Sequence, residues 1–106
     1  MQGTSRSELA TELERCARIC EHTAEIYVER HGDAVGADVV SGLLLAAAAL
    51  ETAAGVVEQN GPAREIGLMI AATLARDAIA AAERRGLDET LLHCVASLRR
   101  VVALCD

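Results

Sequence analysis

The sequence predicts an all-α protein: an antiparallel up-down-up-down four-helix bundle in which residues 1–106 form a single domain. Three observations support this prediction. Clusters of glycine and proline divide the chain into four long segments. Within these segments apolar residues recur at alternating steps of three and four, which is the spacing of one face of an α-helix. No run of β-branched residues alternates with polar ones, as it would in a strand.

The first two helices are predicted at about residues 7–31 and 37–59. Ser5 or Ser7 is suited to cap the first helix, and Gly32 follows its last residues as a stop signal. The second helix ends where an Asn-Gly-Pro turn begins. These signals make the first helix the longest element of the predicted bundle.

The third and fourth helices have clearer boundaries. Pro62 is suited to the first turn of a helix, and Arg85 favours the negative end of the same helix before Gly86. Asp88 is a good N-cap for the fourth helix, which we expect to end near Cys105. The short connections predict that consecutive helices are antiparallel neighbours.

Three of the helices show one continuous apolar seam each, which predicts the residues of the core. In helix one the seam contains Leu9, Leu13, Cys16, Cys20, Thr23 and Tyr27. In helix two it contains Val40, Leu43, Ala47, Leu50, Ala54 and Val57. In helix four it contains Leu91, Cys94, Leu98, Val101 and Cys105. All four cysteines are therefore expected to face the core.

Helix three has apolar residues on more than one side. One stripe, which we assign to the core, contains Ile70, Leu74, Ala78 and Ala81. Ile66, Met69 and Ile79 fall outside that stripe. Apolar residues outside the core seam indicate a second contact, so we expect a homodimer or higher homo-oligomer.

Composition narrows the possible functions. The chain is 52% hydrophobic, and Tyr27 is its only aromatic residue, so base stacking and aromatic cages are excluded. The net charge is −6, with arginines interleaved among the acids. A net basic face is the usual requirement for nucleic-acid binding, so nucleic acid is not an expected partner.

The distribution of apolar residues predicts a cytoplasmic protein without a membrane partner. The first fifteen residues contain several charges and no apolar stretch of the kind that a signal peptide has. The longest apolar run, Leu43 to Leu50, is much shorter than the roughly 20 residues of a membrane span. We therefore expect this run to be a buried segment of helix two.

The four cysteines are expected to be thiols or metal ligands, because disulfides are rare in a reducing compartment. A single cysteine in a helical seam most often only packs in the core. In an antiparallel bundle, however, Cys20 should lie at the height of Cys94, with Cys16 one turn away. We expect these three thiols to converge, whereas Cys105 lies towards the far end of helix four.

Soft thiolates in an apolar interior suit Cu(I), which accepts two or three sulfur ligands. Zinc is the main alternative, but a structural zinc site usually takes its four ligands from paired Cys-x2-Cys loops, which this sequence lacks. A disulfide between Cys16 and Cys20 is disfavoured, because one helical turn holds their side chains nearly parallel. A disulfide between Cys20 and Cys94 stays possible.

The spacing of the cysteines resembles that of a known family. Helix one has Cys-x3-Cys-x2-Thr-x3-Tyr from Cys16 to Tyr27, and helix four has Cys-x3-Leu-x2-Val-x3-Cys from Cys94 to Cys105. Both resemble the Cys-x3-Cys-x2-Cys-x3-Cys rhythm of the cysteine-rich four-helix-bundle copper-binding family that includes the copper storage proteins. The segments LERCARICEH and HCVASLRRVVALCD carry this likeness with half of the thiols replaced, and helices two and three have alanine or leucine instead.

The resemblance implies Cu(I) sequestration in the cytosol. Because most of that family's thiols are replaced in this sequence, a site for one or two ions, or a protein of the same fold that does not bind copper, fits better than a high-capacity store. The implied metal ligands are Cys16, Cys20, Cys94 and Cys105. His31 continues the helix-one seam and is a candidate for the mouth of such a site, although a solvated helix end explains it as well. His22 is expected to be exposed, and His93 to lie to one side of its neighbouring cysteine.

Two other classes of function stay open. One alternative is an oligomeric scaffold in which the cysteines only pack. The other is an enzyme that uses the bundle core as a pocket, with Tyr27, His31 or a thiol as its polar group. No Ser-His-Asp arrangement or Glu-x-x-His di-iron motif is present. Glu51, Glu58 and Asp77 are therefore expected to belong to a solvated face.

Overall fold

A computed structural model describes the backbone of residues 2–32 and 36–105, and the side chains from Glu8 onwards within these ranges. The four helices are α1 (Gln2–His31), α2 (Ala37–Val56), α3 (Pro62–Arg85) and α4 (Glu89–Cys105). Each helix packs against the next one, and α1 also packs against α4. The predicted all-α four-helix bundle is confirmed, with extents of 44 × 21 × 18 Å.

The helix boundaries follow the predicted signals except at two places. Helix α1 starts at Gln2, so Ser5 and Ser7 lie inside it, and the prediction that one of them caps the helix is wrong. Helix α2 ends at Val56, three residues before the predicted end at residue 59. Glycines account for the confirmed ends, because Gly32 and Gly86 adopt φ angles of 82° and 96°, which other residues rarely adopt.

The core seams of α1, α2 and α4 are confirmed at most positions. Leu13, Leu50 and Leu98 are fully buried, and the two thiols of α1 are at most 1% exposed. The exceptions are only half-buried: Leu9, Val40, Ala54 and Cys105. These exceptions lie mainly near helix ends or at the edges of the core face, where the bundle covers a side chain less completely.

The predicted core stripe of α3 is wrong in part. Ile70 is 46% exposed, although Ala78 and Ala81 of the same stripe are buried. The helix instead buries a face of small residues, namely Leu68, Ala71, Ala72, Ala75, Ala78, Ala81 and Ala82. Small side chains let α3 approach α2 closely: a Cβ on Gly67 would lie 2.8 Å from Val56 Cγ2. Close approach buries the alanine face and leaves the larger side chains outside.

Helix α2 differs from the expectation of a fully buried apolar run. Leu44 and Leu45 are 48% and 56% exposed, whereas Leu43 and Leu50 are fully buried. Among the described helices, α2 alone is long and apolar enough to cross a membrane by length and composition, and less than half of its apolar window is buried. A core helix of a soluble bundle passes the same test.

Candidate functional site

Three thiols lie together between α1 and α4. Cys16 and Cys20 are one turn apart on α1, and Cys94 faces them from α4. The Sγ atoms of Cys20 and Cys94 are 3.8 Å apart, and all three residues are at most 1% exposed. The expected convergence of these three cysteines is confirmed. All four cysteines of the chain are free thiols, so α1 and α4 are not joined by a disulfide.

Two buried hydroxyls extend the thiols into one hydrogen-bonded chain. Thr23 bonds with the Cys94 thiol, and Ser97 bonds with the Cys16 thiol. Cys20 bonds with both of the other cysteines, so the order is Ser97, Cys16, Cys20, Cys94, Thr23. We call these five residues the thiol chain. Thr23 and Ser97 are the two polar residues that the structure buries among its described side chains.

The role of Ser97 was not predicted from the sequence, although a signal for it exists. Each helix places a hydroxyl three residues after a thiol, in Cys20-x2-Thr23 and in Cys94-x2-Ser97. Because α1 and α4 are antiparallel, each hydroxyl bonds with a thiol on the opposite helix. A polar side chain at i+3 on both thiol-bearing faces is therefore the pattern that indicates a cross-helix chain.

Hydrogen bonding shifts the pKa values of the three thiols in different directions. Bonds with Cys16 and Cys94, together with burial, raise the pKa of Cys20 above its ordinary value. The bond with Cys20 lowers the pKa of Cys16 and of Cys94, because it stabilises their thiolates. In the hydrogen bond between α4 and α1, the Cys94 thiol donates to Cys20 Sγ.

Cys105 does not belong to the thiol chain. It is half-buried at the end of α4, eleven residues after Cys94, which corresponds to roughly 16 Å along a helix. It lines a groove of about 470 Å³ together with residues of α3, among them Arg64, Met69 and Arg76. The structure thus brings three of the four predicted metal ligands together and places the fourth elsewhere.

The three histidines lie outside the thiol chain, and all three are exposed. His31 ends α1, and its Nε2 is 3.3 Å from Asp88 Oδ2 at the start of α4. Its ring lies 4.4 Å from the ring of the buried Tyr27. His22 is exposed as predicted. His31 thus covers the end of the α1 seam and is held there by Asp88.

The thiol chain offers sulfur donors to a soft ion. Two sulfurs at about 2.3 Å from one ion are about 3.8 Å apart in tetrahedral geometry and about 4.0 Å apart in trigonal geometry. The observed separation of 3.8 Å between Cys20 and Cys94 falls in this range. Within residues 8–32 and 36–105, no group of three or more His, Cys, Asp or Glu side chains is already arranged to hold a metal ion.

The acidic residues and the surface grooves that were further candidates do not form a functional site. Glu51, Glu58 and Asp77 are exposed, as expected for a solvated face. A groove of about 330 Å³ between α1 and α2 and one of about 250 Å³ between α2 and α3 are lined by neither Tyr27 nor the three core thiols. These two grooves therefore give no support to an enzyme that uses Tyr27 or the three core thiols in a substrate pocket.

Comparison of the chain with family models, curated proteins and solved structures finds no match in any of the three.

Proposed function

We propose that the protein binds Cu(I) without turnover, with Cys20 and Cys94 as the primary ligand pair and Cys16 as the third thiol. One observation carries this proposal: two fully buried sulfurs from different helices lie 3.8 Å apart, and a third thiol is hydrogen-bonded to Cys20. Unlike a cysteine that only packs, each of these thiols has a sulfur neighbour.

The chemistry of the donors favours Cu(I) over harder ions. The thiol chain contains sulfur and hydroxyl groups, and thiolates select Cu(I) and other soft ions. Zinc in a structural site takes four ligands, and the thiol chain contains only three thiols. The resemblance of the cysteine spacing to the copper-binding bundle family supports the same choice.

The charge that binding creates is small enough for a buried site. Cu(I) with two thiolates has one net negative charge, and the remaining thiol and the Thr23 hydroxyl are positioned to donate hydrogen bonds to it. Arg100 also lowers the pKa of Cys16 electrostatically, after the effects of Cys20, burial and Ser97. These neighbours reduce the cost of thiolates in the core.

We expect a stoichiometry of one ion at the thiol chain and no more than two per chain, because four thiols at two or three per ion provide no more. Binding through free thiols requires a reducing environment, which fits a cytoplasmic location. Cys105 is the remaining thiol and contributes a weaker site unless a second chain supplies another ligand.

The test is an anaerobic Cu(I) titration of the purified protein against a competing chelator. The wild type should compete for about one equivalent and develop thiolate-to-copper charge-transfer absorption. A variant with Cys16→Ser, Cys20→Ser and Cys94→Ser should stay helical by circular dichroism and lose both signals.

The matched control is Cys105→Ser, which removes a thiol that does not belong to the thiol chain. This variant should bind the first equivalent of Cu(I) like the wild type. The proposal is wrong if the triple variant and the wild type hold copper equally, or if Cys105→Ser alone removes the first equivalent.

A structural role as an oligomeric scaffold is the second candidate, and the exposed aliphatic residues of α2 and α3 favour it. Ile66, Met69 and Leu45 are each at least 50% exposed. In such a protein the cysteines would only pack, and copper binding would be weak in every variant.

A further inference from the structure

Two free thiols from the first and the last helix meet in the core. Cys20 on α1 and Cys94 on α4 are 74 positions apart in the sequence, yet their Sγ atoms are 3.8 Å apart and share a hydrogen bond. Both residues are fully buried. The sulfurs of a disulfide are about 2.05 Å apart, so an approach of roughly 1.8 Å separates this pair from a covalent bond.

The other two cysteines do not compete for this bond. Cys16 is one turn before Cys20 on the same helix, which holds their side chains nearly parallel rather than facing each other. Cys105 lies eleven residues after Cys94, roughly 16 Å along the axis of α4. Cys20 and Cys94 are therefore the pair that is arranged for a disulfide.

Polar contacts join α1 and α4 on both sides of the pair. Towards the start of α1, Cys16 bonds with Ser97 of α4. At the end of α1, His31 Nε2 lies 3.3 Å from Asp88 Oδ2 at the start of α4. These contacts hold the two helices together at the height of the pair, so the two sulfurs keep facing each other.

We propose that Cys20 and Cys94 form a redox-sensitive pair, which hydrogen peroxide converts into a disulfide within the folded bundle, and that this bond removes the primary ligands of copper. The formation of the disulfide depends on the arrangement of the sulfurs alone. Its consequence for copper rests on the proposed function, because a sulfur in a disulfide is no longer a thiolate ligand.

One molecule of peroxide oxidises one pair. The sulfur of one cysteine attacks a peroxide oxygen, so that an S–O bond forms, the O–O bond breaks, and the leaving hydroxide takes the thiol proton as water. The second sulfur then attacks the first, so that the S–S bond forms and the S–O bond breaks. The hydroxide released takes the second thiol proton. The two thiols thus lose two electrons, and peroxide is reduced to two molecules of water.

The size of peroxide and the position of the bond in the fold both matter for this reaction. Peroxide is scarcely larger than water, so local openings of the bundle admit it to the buried pair. The bond joins the first helix to the last and closes a long loop, which restricts the unfolded chain. We therefore expect oxidation to stabilise the bundle.

The experiment compares two variants that keep two thiols each. Cys16→Ser with Cys105→Ser leaves Cys20 and Cys94, and Cys94→Ser with Cys105→Ser leaves Cys16 and Cys20. Each metal-free protein, checked for helicity by circular dichroism, is treated with hydrogen peroxide in native buffer. The first variant should lose both thiols and two hydrogen atoms by mass spectrometry, and dithiothreitol should restore them. The second, which is the matched control, should form no internal disulfide.

The consequence for copper is measured on Cys105→Ser, which keeps the whole thiol chain. The reduced protein should bind one equivalent of Cu(I) in an anaerobic titration. After oxidation and removal of the peroxide it should lose this equivalent, and reduction by dithiothreitol, which is then removed, should restore it. The midpoint of thermal denaturation of the oxidised protein should rise by roughly 10 °C.

Four results would overturn the proposal. The first is a protein with Cys20 and Cys94 that gains oxygen atoms instead of losing hydrogen. The second is a control with Cys16 and Cys20 that forms an internal disulfide as readily. The third is a lower denaturation midpoint after oxidation, which would mean that the bond forces the helices out of place. The fourth is an oxidised protein that keeps its copper. Failure of the reduced protein to bind copper would instead contradict the proposed function, while the mass would still report the disulfide.

Discussion

The two halves of the bundle differ in which side chains they bury and which they expose. Between α1 and α4, thiols and hydroxyls lie inside, out of contact with water. Between α2 and α3, alanine and glycine lie inside, and the aliphatic groups of Met69, Leu45 and Ile66 lie outside. The first half therefore keeps its polar groups away from water, and the second half leaves its larger aliphatic groups in contact with water.

Side-chain volume explains the difference. In the α2/α3 half the helices approach so closely that a Cβ on Gly42 would lie 3.4 Å from the Ala78 backbone. Little space is left there for sulfur or for a hydroxyl with its hydrogen-bond partner. In the α1/α4 half, cysteine, serine and threonine fit between the helices, and their hydrogen bonds connect the two. Reactive groups thus lie where the helix spacing admits them.

The largest expected effect is the pH dependence of copper affinity, which belongs to the α1/α4 half alone. The raised pKa of Cys20 means that its proton must be displaced when copper binds. Affinity should therefore rise with pH, by about tenfold per unit for each proton released and by about a hundredfold for two. Competition titrations at several pH values would measure the slope, and a slope of zero would contradict thiol ligation.

The next largest expected effect is a loss of stability when a larger side chain is placed in the α2/α3 half. Ala75 is fully buried on α3, and Ala75→Leu adds three carbon atoms where the helices already touch. We expect the free energy of unfolding to fall by about 1–3 kcal/mol. Urea denaturation measures this change, with Ala96→Leu on the exposed side of α4 as the control. Equal stability of the two variants would mean that the α2/α3 spacing is looser than described.

Removing the cap of α4 should cost somewhat less. Asp88 Oδ1 accepts a hydrogen bond of 3.0 Å from the Leu91 amide, and its other oxygen lies near His31. Asp88→Ala should lower the free energy of unfolding by about 1 kcal/mol, whereas Asp88→Asn keeps the cap and should lower it less. Thermal denaturation at neutral pH separates the two. Identical losses would show that the cap is unimportant and that the contact with His31 dominates.

The smallest expected effect is that of Cys20→Ser on the apo protein. A hydroxyl in place of the thiol can keep hydrogen bonds with both neighbouring cysteines, so the free energy of unfolding should change by less than about 1 kcal/mol. The same variant should lose most of its copper affinity. Denaturation without metal provides the test. A loss above about 2 kcal/mol would mean that the cysteines serve mainly to pack the core.

The α1/α4 half was largely predictable from the sequence. Its seam residues contrast strongly with their charged neighbours, so the spacing of Cys16, Cys20 and Cys94 determines which face is buried. The antiparallel arrangement then places Cys20 and Cys94 at the same height. The fourth candidate ligand, Cys105, came from the family resemblance alone, and the rise of the helix already predicts its separation from the other three.

The α2/α3 half was harder to predict because alanine gives little hydrophobic contrast. Alanines lie on several sides of α3, so the larger residues decided the predicted stripe, and Ile70 was placed in the core. In the structure, the closeness of the two helices decides which face is buried. A sequence read one helix at a time contains no information about that distance, although Gly42 and Gly67 are signs of close approach.

The close approach at Gly67 also sets a limit on what the bundle could become. Additional thiols on α2 or α3 would need more room than alanine requires, and the backbones of Ala53 and Ala78 already lie against Gly67 and Gly42. The helices would have to move apart along their whole length before a second layer of sulfur could form. The separation of α2 and α3 therefore limits how many thiols the core of this bundle can hold.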